Sequence, residues 1–244
     1  MPRQAISMEY GILTYDEFLQ LFWSRQEAGQ HLVALGPTGR GKTTTMGRLL
    51  ERPATDGVLI STIGKPDPAL QHLGKPAKEW PPRMPLKLLM HDNLPFIRRF
   101  ENVPKQPKDF STVKQTYANL LRWMFARPGW TIYLPDLQIV SDPKMMGLGK
   151  EVEQLLLTLR KEKSSVYMDG QAPRWIPSAA NDQTSHVLVW KTRDNRVRKR
   201  LSELANIPMD LFDSLMNTMG RFDIVWIDSI RDELFHIEVP DRSK

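Results

Sequence analysis

The stretch that decides the fold is His31-Leu32-Val33-Ala34-Leu35 followed by Gly36-Pro37-Thr38-Gly39-Arg40-Gly41-Lys42-Thr43-Thr44. Five consecutive apolar or weakly polar residues suit a strand of a parallel sheet that is covered on both faces. Gly36, Gly41, Lys42 and Thr43 then match the spacing G-x-x-x-x-G-K-[ST]. Glycines allow the backbone to turn tightly around an anion with its N–H groups pointing inward. A helix is expected over 42–52, ended by Pro53, and its N-terminus adds the positive end of a dipole. In this arrangement Lys42 reaches the β- and γ-phosphates of a nucleotide, and the Thr43 hydroxyl ligates Mg²⁺. ATP with magnesium is the expected ligand, held by Gly36, Pro37, Thr38, Gly39, Arg40, Gly41, Lys42, Thr43 and Thr44.

Working outward, strands are expected at 57–63, 86–90, 130–134, 165–168 and 186–190. Helices are expected at 15–24, 111–127, 152–163, 192–206 and 209–219, and a closing β-hairpin at 223–227 and 233–239. Residues 64–85 and 104–107 read as irregular connections, being rich in Pro, Gly and Lys. Strands alternating with helices imply an α/β fold: a mostly parallel sheet with helices on both faces and right-handed crossovers. The expected organisation is a lead-in over 1–29 and one domain over 30–244.

The chain has 244 residues, 41% of them hydrophobic and 25% charged, enough to bury a sizeable core. Cysteine is absent, which excludes disulfides, thiolate zinc sites and thiol catalysis. Five histidines are scattered without metal-ligand spacing. No apolar run approaches the roughly 20 residues that cross a bilayer. The N-terminus lacks the apolar core of a secretory signal, so a cytoplasmic location is expected. A net charge of +6 permits an anionic partner such as nucleic acid.

A P-loop ATPase also needs an acid at the end of another core strand, to hold the metal ion through water or to activate the attacking water. Two aspartates compete: Asp136, after Trp130-Thr131-Ile132-Tyr133-Leu134-Pro135, and Asp228, after Phe222-Asp223-Ile224-Val225-Trp226-Ile227. Asp228 has the cleaner apolar run, but it can equally be a hairpin-turn aspartate. Asp136 is favoured because its strand falls mid-sheet in chain order.

Over residues 30–205 the sequence resembles the FtsK–HerA superfamily of DNA-pumping ATPases. GQHLVALGPTGRGKTTTMGRLL is similar to that family's strand, loop and helix. LISTIGKPDP resembles the following strand, which often ends near a lysine, here Lys65. IYLPDLQIV occupies the Walker B place, and EVEQLLLTLRKEKSSVYMDGQAPRWIP resembles the helix, strand and glutamine-proline segment. Residues 192–205 resemble a later helix. The resemblance implies a RecA-like ATPase and a catalytic set of Lys42, Asp136, Gln171 and Arg160, with Thr43 and Asp136 at the metal. Gln171 would meet the γ-phosphate region and couple hydrolysis to movement. Arg160 would lend positive charge to a neighbouring subunit's ATP.

The resemblance further implies a homo-oligomeric ring, a hexamer in most relatives, threaded by DNA. A chain this compact fits a small packaging or mobile-element motor, with a capsid or portal-type partner, acting in the host cytoplasm if virally encoded. Residues 191–200 (KTRDNRVRKR) hold six basic residues and one acid. Arg196 with Arg200, and Arg193 with Lys199 on another face, are candidates for sequence-independent contacts to the DNA backbone. Lys105, Lys108 and Lys114 form a second basic cluster. One departure stands out: relatives end the Walker B strand with Asp-Glu, whereas here the pair is Pro135-Asp136. That departure keeps open an alternative from another class, a nucleotide-binding switch or regulatory protein that hydrolyses little. A P-loop kinase would need an arginine-rich lid, which the sequence does not clearly show.

Overall fold

The computed structural model describes residues 10–63, 67–73, 76–77, 96–102, 111–125, 129–176, 183–204 and 206–241. Chain order begins β1 (Gly11–Thr14), α1 (Tyr15–Arg25), β2 (His31–Leu35), α2 (Lys42–Leu49), β3 (Gly57–Ile63), a 3₁₀ turn at Pro68–Leu70, β4 (Pro76–Ala77) and β5 (Phe96–Asn102). It continues with α3 (Ser111–Phe125), β6 (Trp130–Leu134), α4 (Leu137–Ser141), α5 (Gly149–Leu159), β7 (Ser165–Gly170) and a 3₁₀ turn at Pro173–Trp175. The last elements are β8 (Thr184–Trp190), α6 (Asn195–Leu204), α7 (Met209–Thr218), β9 (Ile224–Asp228) and β10 (Glu233–Glu238).

Among the described residues the strands form one sheet of ten, in the order β1-β10-β9-β8-β2-β7-β6-β3-β5-β4. Each pairing is parallel except those of β9, which runs antiparallel to both β8 and β10. The expected α/β class, mostly parallel sheet and C-terminal hairpin are present. β2 lies centrally between β7 and β8. Its side chains alternate between two cores. Val33 and Leu35 join the cluster built from α3 to α7, while Leu32 and Ala34 join the one under α1 and α2. Burial on both faces explains why β2 reads as a continuous apolar run rather than an alternating one.

Several elements differ from expectation. The helix expected at 15–24 is present as α1, but the lead-in also supplies an edge strand that was not expected, β1, which pairs with β10. Thr14 and Glu17 form a reciprocal capping box at the start of α1, and Phe18, Leu19 and Phe22 are buried. β5 was not anticipated. The strand expected at 86–90 and the loop at 104–107 lie outside the described residues, as do Lys65, Lys105 and Lys108. β7 runs two residues further than expected, to Gly170.

The antiparallel course of β9 decides the place of Asp228. In register it lies opposite His186, near the start of β8, whereas the phosphate loop leaves the other end of β2. Three residues of strand separate His186 from Val189, the partner of Leu35, a rise of about 10 Å. Asp228 is wholly buried and held by Arg231 Nη1 at 3.1 Å, Ile230 N at 3.2 Å and Arg25 Nη1 at 3.6 Å. In this structure Asp228 is a buried acid paired at the end of the sheet away from the phosphate loop.

His31 ties β2 to the lower end of the sheet. Its Nε2 donates to Leu156 O at 3.0 Å, and its Nδ1 accepts from Val166 N at 3.1 Å. Both contacts belong to the neutral ring, and burial lowers the pKa from 6.5 to about 4. Between those values the unfolded chain binds the proton and the folded chain does not, so stability falls as pH drops from 6.5 to about 4. His31 is expected to contribute up to about 3 kcal/mol of that loss. In urea unfolding across this range, the stability difference between wild type and His31→Gln should shrink as pH falls. A difference independent of pH would refute the assignment.

Candidate nucleotide site

The loop leaves β2 at Gly36, whose N–H donates to Gly170 O at 3.2 Å. A Cβ at Gly36 would lie 2.6 Å from Trp190 Cβ, so only glycine fits between β2 and β8. Gly39 and Gly41 adopt φ of +72° and +88° with open space around them, so backbone conformation rather than crowding selects glycine there. Gly41 O accepts from Thr45 N at 2.9 Å and starts α2. Lys42 Nζ donates to Gly36 O at 2.8 Å and Pro37 O at 3.0 Å, which sets the ammonium within the curve of the loop. Burial lowers its pKa, while Asp169 and then Asp136 act in the opposite sense.

Asp136 follows β6 in the left-handed region, φ 54° and ψ 51°, at the start of α4. Its N–H donates to Asp169 Oδ1 at 3.1 Å. The surrounding protein raises its pKa, Lys42 opposes the rise and Asp67 adds to it, although the side chain keeps an exposed face. Asp169, on β7, is 4% exposed. Its other oxygen accepts from Tyr133 OH, on the adjacent strand β6. Burial, the largest cause, pushes Asp169 up to about 6, and burial likewise raises the Tyr133 hydroxyl well above its usual value. Asp169 was not singled out from the sequence. The signal was an acid one residue before Gly170-Gln171, in an otherwise apolar strand.

Gln171 is exposed and directly follows the residue whose carbonyl holds Gly36. Arg160 is exposed just after α5, at the end of the sheet opposite the chain's own loop, where the backbone turns into β7. Thr43 is half-buried and Thr44 exposed in the first turn of α2.

The basic run divides. Asp194 Oδ1 accepts from the N–H groups of Arg196 and Val197, so α6 starts at Asn195. Arg193 is therefore outside the helix and shares no helical face with Lys199, a correction to the expectation. Instead, Arg193 lines a cavity of about 650 Å³ with Pro37, Thr38, Gly39, Arg40, Lys191 and Arg221. Arg196, Lys199 and Arg200 are exposed on α6, and Arg200 pairs with Glu203 at 3.3 Å. A second cavity of about 400 Å³ opens beside α2 and is lined mainly by Tyr15, Arg40, Thr44, Thr45, Trp190 and Phe222. It is roomy enough for a nucleobase, and its aromatic walls suit one.

A parallel sheet that delivers a glycine loop and lysine from its centre to a helix N-terminus is the fold of P-loop ATPases. The genome packaging NTPase B204 from Sulfolobus turreted icosahedral virus 2, solved with sulfate, is similar at a TM-score of 0.61 and 8% identity, covering 88% of this chain and 99% of that one. VirB4 of Thermoanaerobacter pseudethanolicus is similar at a TM-score of 0.63 and 12% identity, covering 96% and 97%. B204, the DNA-packaging ATPase from Sulfolobus Turreted Icosahedral Virus, is similar at 0.60 and 9%, covering 88% and 100%. At such identities the likeness is one of fold. No protein-family model and no curated protein matches the sequence. No helix among the described residues is long and apolar enough to cross a membrane.

The contact at Gly36 yields a direct expectation. Gly36→Ala should force β2 and β8 apart and lower ATP affinity at least about tenfold, with a fall in melting temperature. Titration with a fluorescent ATP analogue and a thermal melt measure both, and unchanged affinity would refute the fit.

Proposed function

We propose that this chain is an ATP-driven motor of the FtsK–HerA superfamily that moves DNA, as a small packaging or mobile-element ATPase does. The observation that carries the reading is the Lys42 ammonium, set within a glycine loop at a helix N-terminus with Asp136 and Asp169 as the acids acting on it. In this reading Gly36 to Thr44 cradle the phosphates, and the base enters the aromatic cavity beside α2. The Thr43 hydroxyl and Asp136 carboxylate are oxygen donors of the kind magnesium takes. No group of three or more His, Asp or Glu forms a metal cage among the described residues, so the phosphates would complete the coordination. The ion, when bound, neutralises charge developing on the phosphate oxygens.

Asp136 acts on the attacking water, and Gln171, at the end of the strand beside the loop, reports on the γ-phosphate. Arg160 serves the ATP of a neighbour in a ring, a hexamer by the resemblance. Arg193, Arg196, Lys199 and Arg200 meet DNA phosphates independently of sequence. A capsid or portal-type partner and the host cytoplasm complete the proposal. Similar structures support it: B204 is a genome packaging NTPase, and one of its structures contains AMPPCP. A second reading is favoured by Pro135, which leaves Asp136 as the sole acid of that dipeptide: a nucleotide-binding switch with little turnover.

Phosphate release with and without DNA separates the two. The motor reading expects stimulation by DNA, a loss of at least about 100-fold in Lys42→Ala, and a loss of about 100-fold or more in Asp136→Asn. Equal rates with and without DNA would remove the motor reading, and full activity of Asp136→Asn would remove the role of that acid.

A further inference from the structure

We infer that Asp169 is a positioning residue of the hydrolytic site: it fixes the left-handed turn that presents Asp136. The inference rests on the nucleotide reading above.

Asp136 follows a proline, which has no N–H to anchor the turn. Its own backbone lies in the left-handed region, where a non-glycine residue needs local support. Although Asp136 precedes α4, its side chain makes no cap hydrogen bond there. The carboxylate is thus left for other work, and the turn depends on its backbone contacts. Ile139 N donates to Asp136 O at 2.8 Å, which closes the first turn of α4. The Asp136 N–H points back into the sheet and meets Asp169 Oδ1 at 3.1 Å.

Asp169 is itself fixed from two sides. It is nearly the last residue of β7, in register with Ala34 of the strand that feeds the loop, and its other oxygen takes the Tyr133 hydroxyl from β6. One carboxylate therefore links the strand ending in Asp136 to the strand paired with the phosphate-loop strand. A carboxylate this deeply buried costs stability unless charge and hydrogen bonds compensate it. The arrangement thus ties the turn at Asp136 to the strand beside the phosphate-loop strand.

The test uses the full chain with Asp169→Ala, Asp169→Asn and Tyr133→Phe, each beside wild type and Lys42→Ala. Three quantities are measured: steady-state phosphate release with Mg-ATP, affinity for a fluorescent ATP analogue, and amide hydrogen exchange of residues 136–141. Asp169→Ala should lower kcat about 100-fold while ATP affinity changes less than about threefold, and exchange at 136–141 should speed up. Asp169→Asn keeps an acceptor for the Asp136 N–H, so it should restore slow exchange and recover about tenfold of the lost kcat.

An Asp169→Ala protein with wild-type kcat overturns the inference. So does one whose affinity falls as far as its kcat, or whose exchange at 136–141 is unchanged. Should Asp169→Ala fail to fold, Tyr133→Phe decides: a kcat reduced about 3–10-fold at constant affinity upholds the inference, and an unaltered kcat overturns it. The nucleotide reading fails separately, if wild type does not bind ATP or if Lys42→Ala hydrolyses it normally. The exchange comparison then still decides whether Asp169 holds the turn.

Discussion

The hydrogen bond from Gly36 N–H to Gly170 O, 3.2 Å long, joins the start of the phosphate loop to the end of β7. Most of the candidate site depends on that junction. It sets the loop beside Gln171, and it places Asp169 one residue below, where its carboxylate reaches across to Asp136. On the other flank the same glycine is pressed against Trp190 of β8. The loop is therefore clamped between two parallel neighbours of β2, and the rigidity of a fully buried sheet passes directly to the lysine and to the first turn of α2. A loop on an edge strand would have no such clamp.

Much of this was legible in the sequence, for physical reasons that differ from place to place. β2 and the loop could be read because burial on both faces forces an unbroken apolar run, and because the turn requires φ values that glycine favours at Gly39 and Gly41. Asp136 could be placed at a strand end because WTIYL is β-branched and aromatic throughout but for its last residue. What local pattern could not supply was strand order. Asp228 follows a cleaner apolar run, yet the reversed direction of β9 carries it to the far end of the sheet. Asp169 gave no motif, since its meaning lies in Tyr133 and Asp136, more than 30 residues away. β1 is four residues long and gains its order from pairing with β10, a partner that no local reading reveals.

The basic stretch at 191–200 shows how little a charge count says before the environments are known. Lys191 caps the carbonyls of Asn217 and Met219 at the end of α7. Arg198 is buried and braces Thr192 O, Asp213 and Asn217. Arg200 is paired with Glu203. Arg193 stands apart at the rim of the phosphate loop with Arg40 and Arg221. One run of like charge thus serves helix termination, inter-helix bracing and surface potential, and only part of it is available to an anionic partner.

The pairing of β1 with β10 bears on how the molecule is made. Gly11 lies in register with Phe235, so this edge joins residues more than 220 positions apart. Phe18 and Phe22 of α1 pack against Trp226, with ring centroids 5.3 and 5.9 Å away. On a ribosome the aromatic face of α1 lacks Trp226 as a partner until more than 200 further residues have been synthesised. The packing of α1 thus waits on a distant segment, a long-range closure that slows folding and lengthens the time for which an apolar surface needs protection.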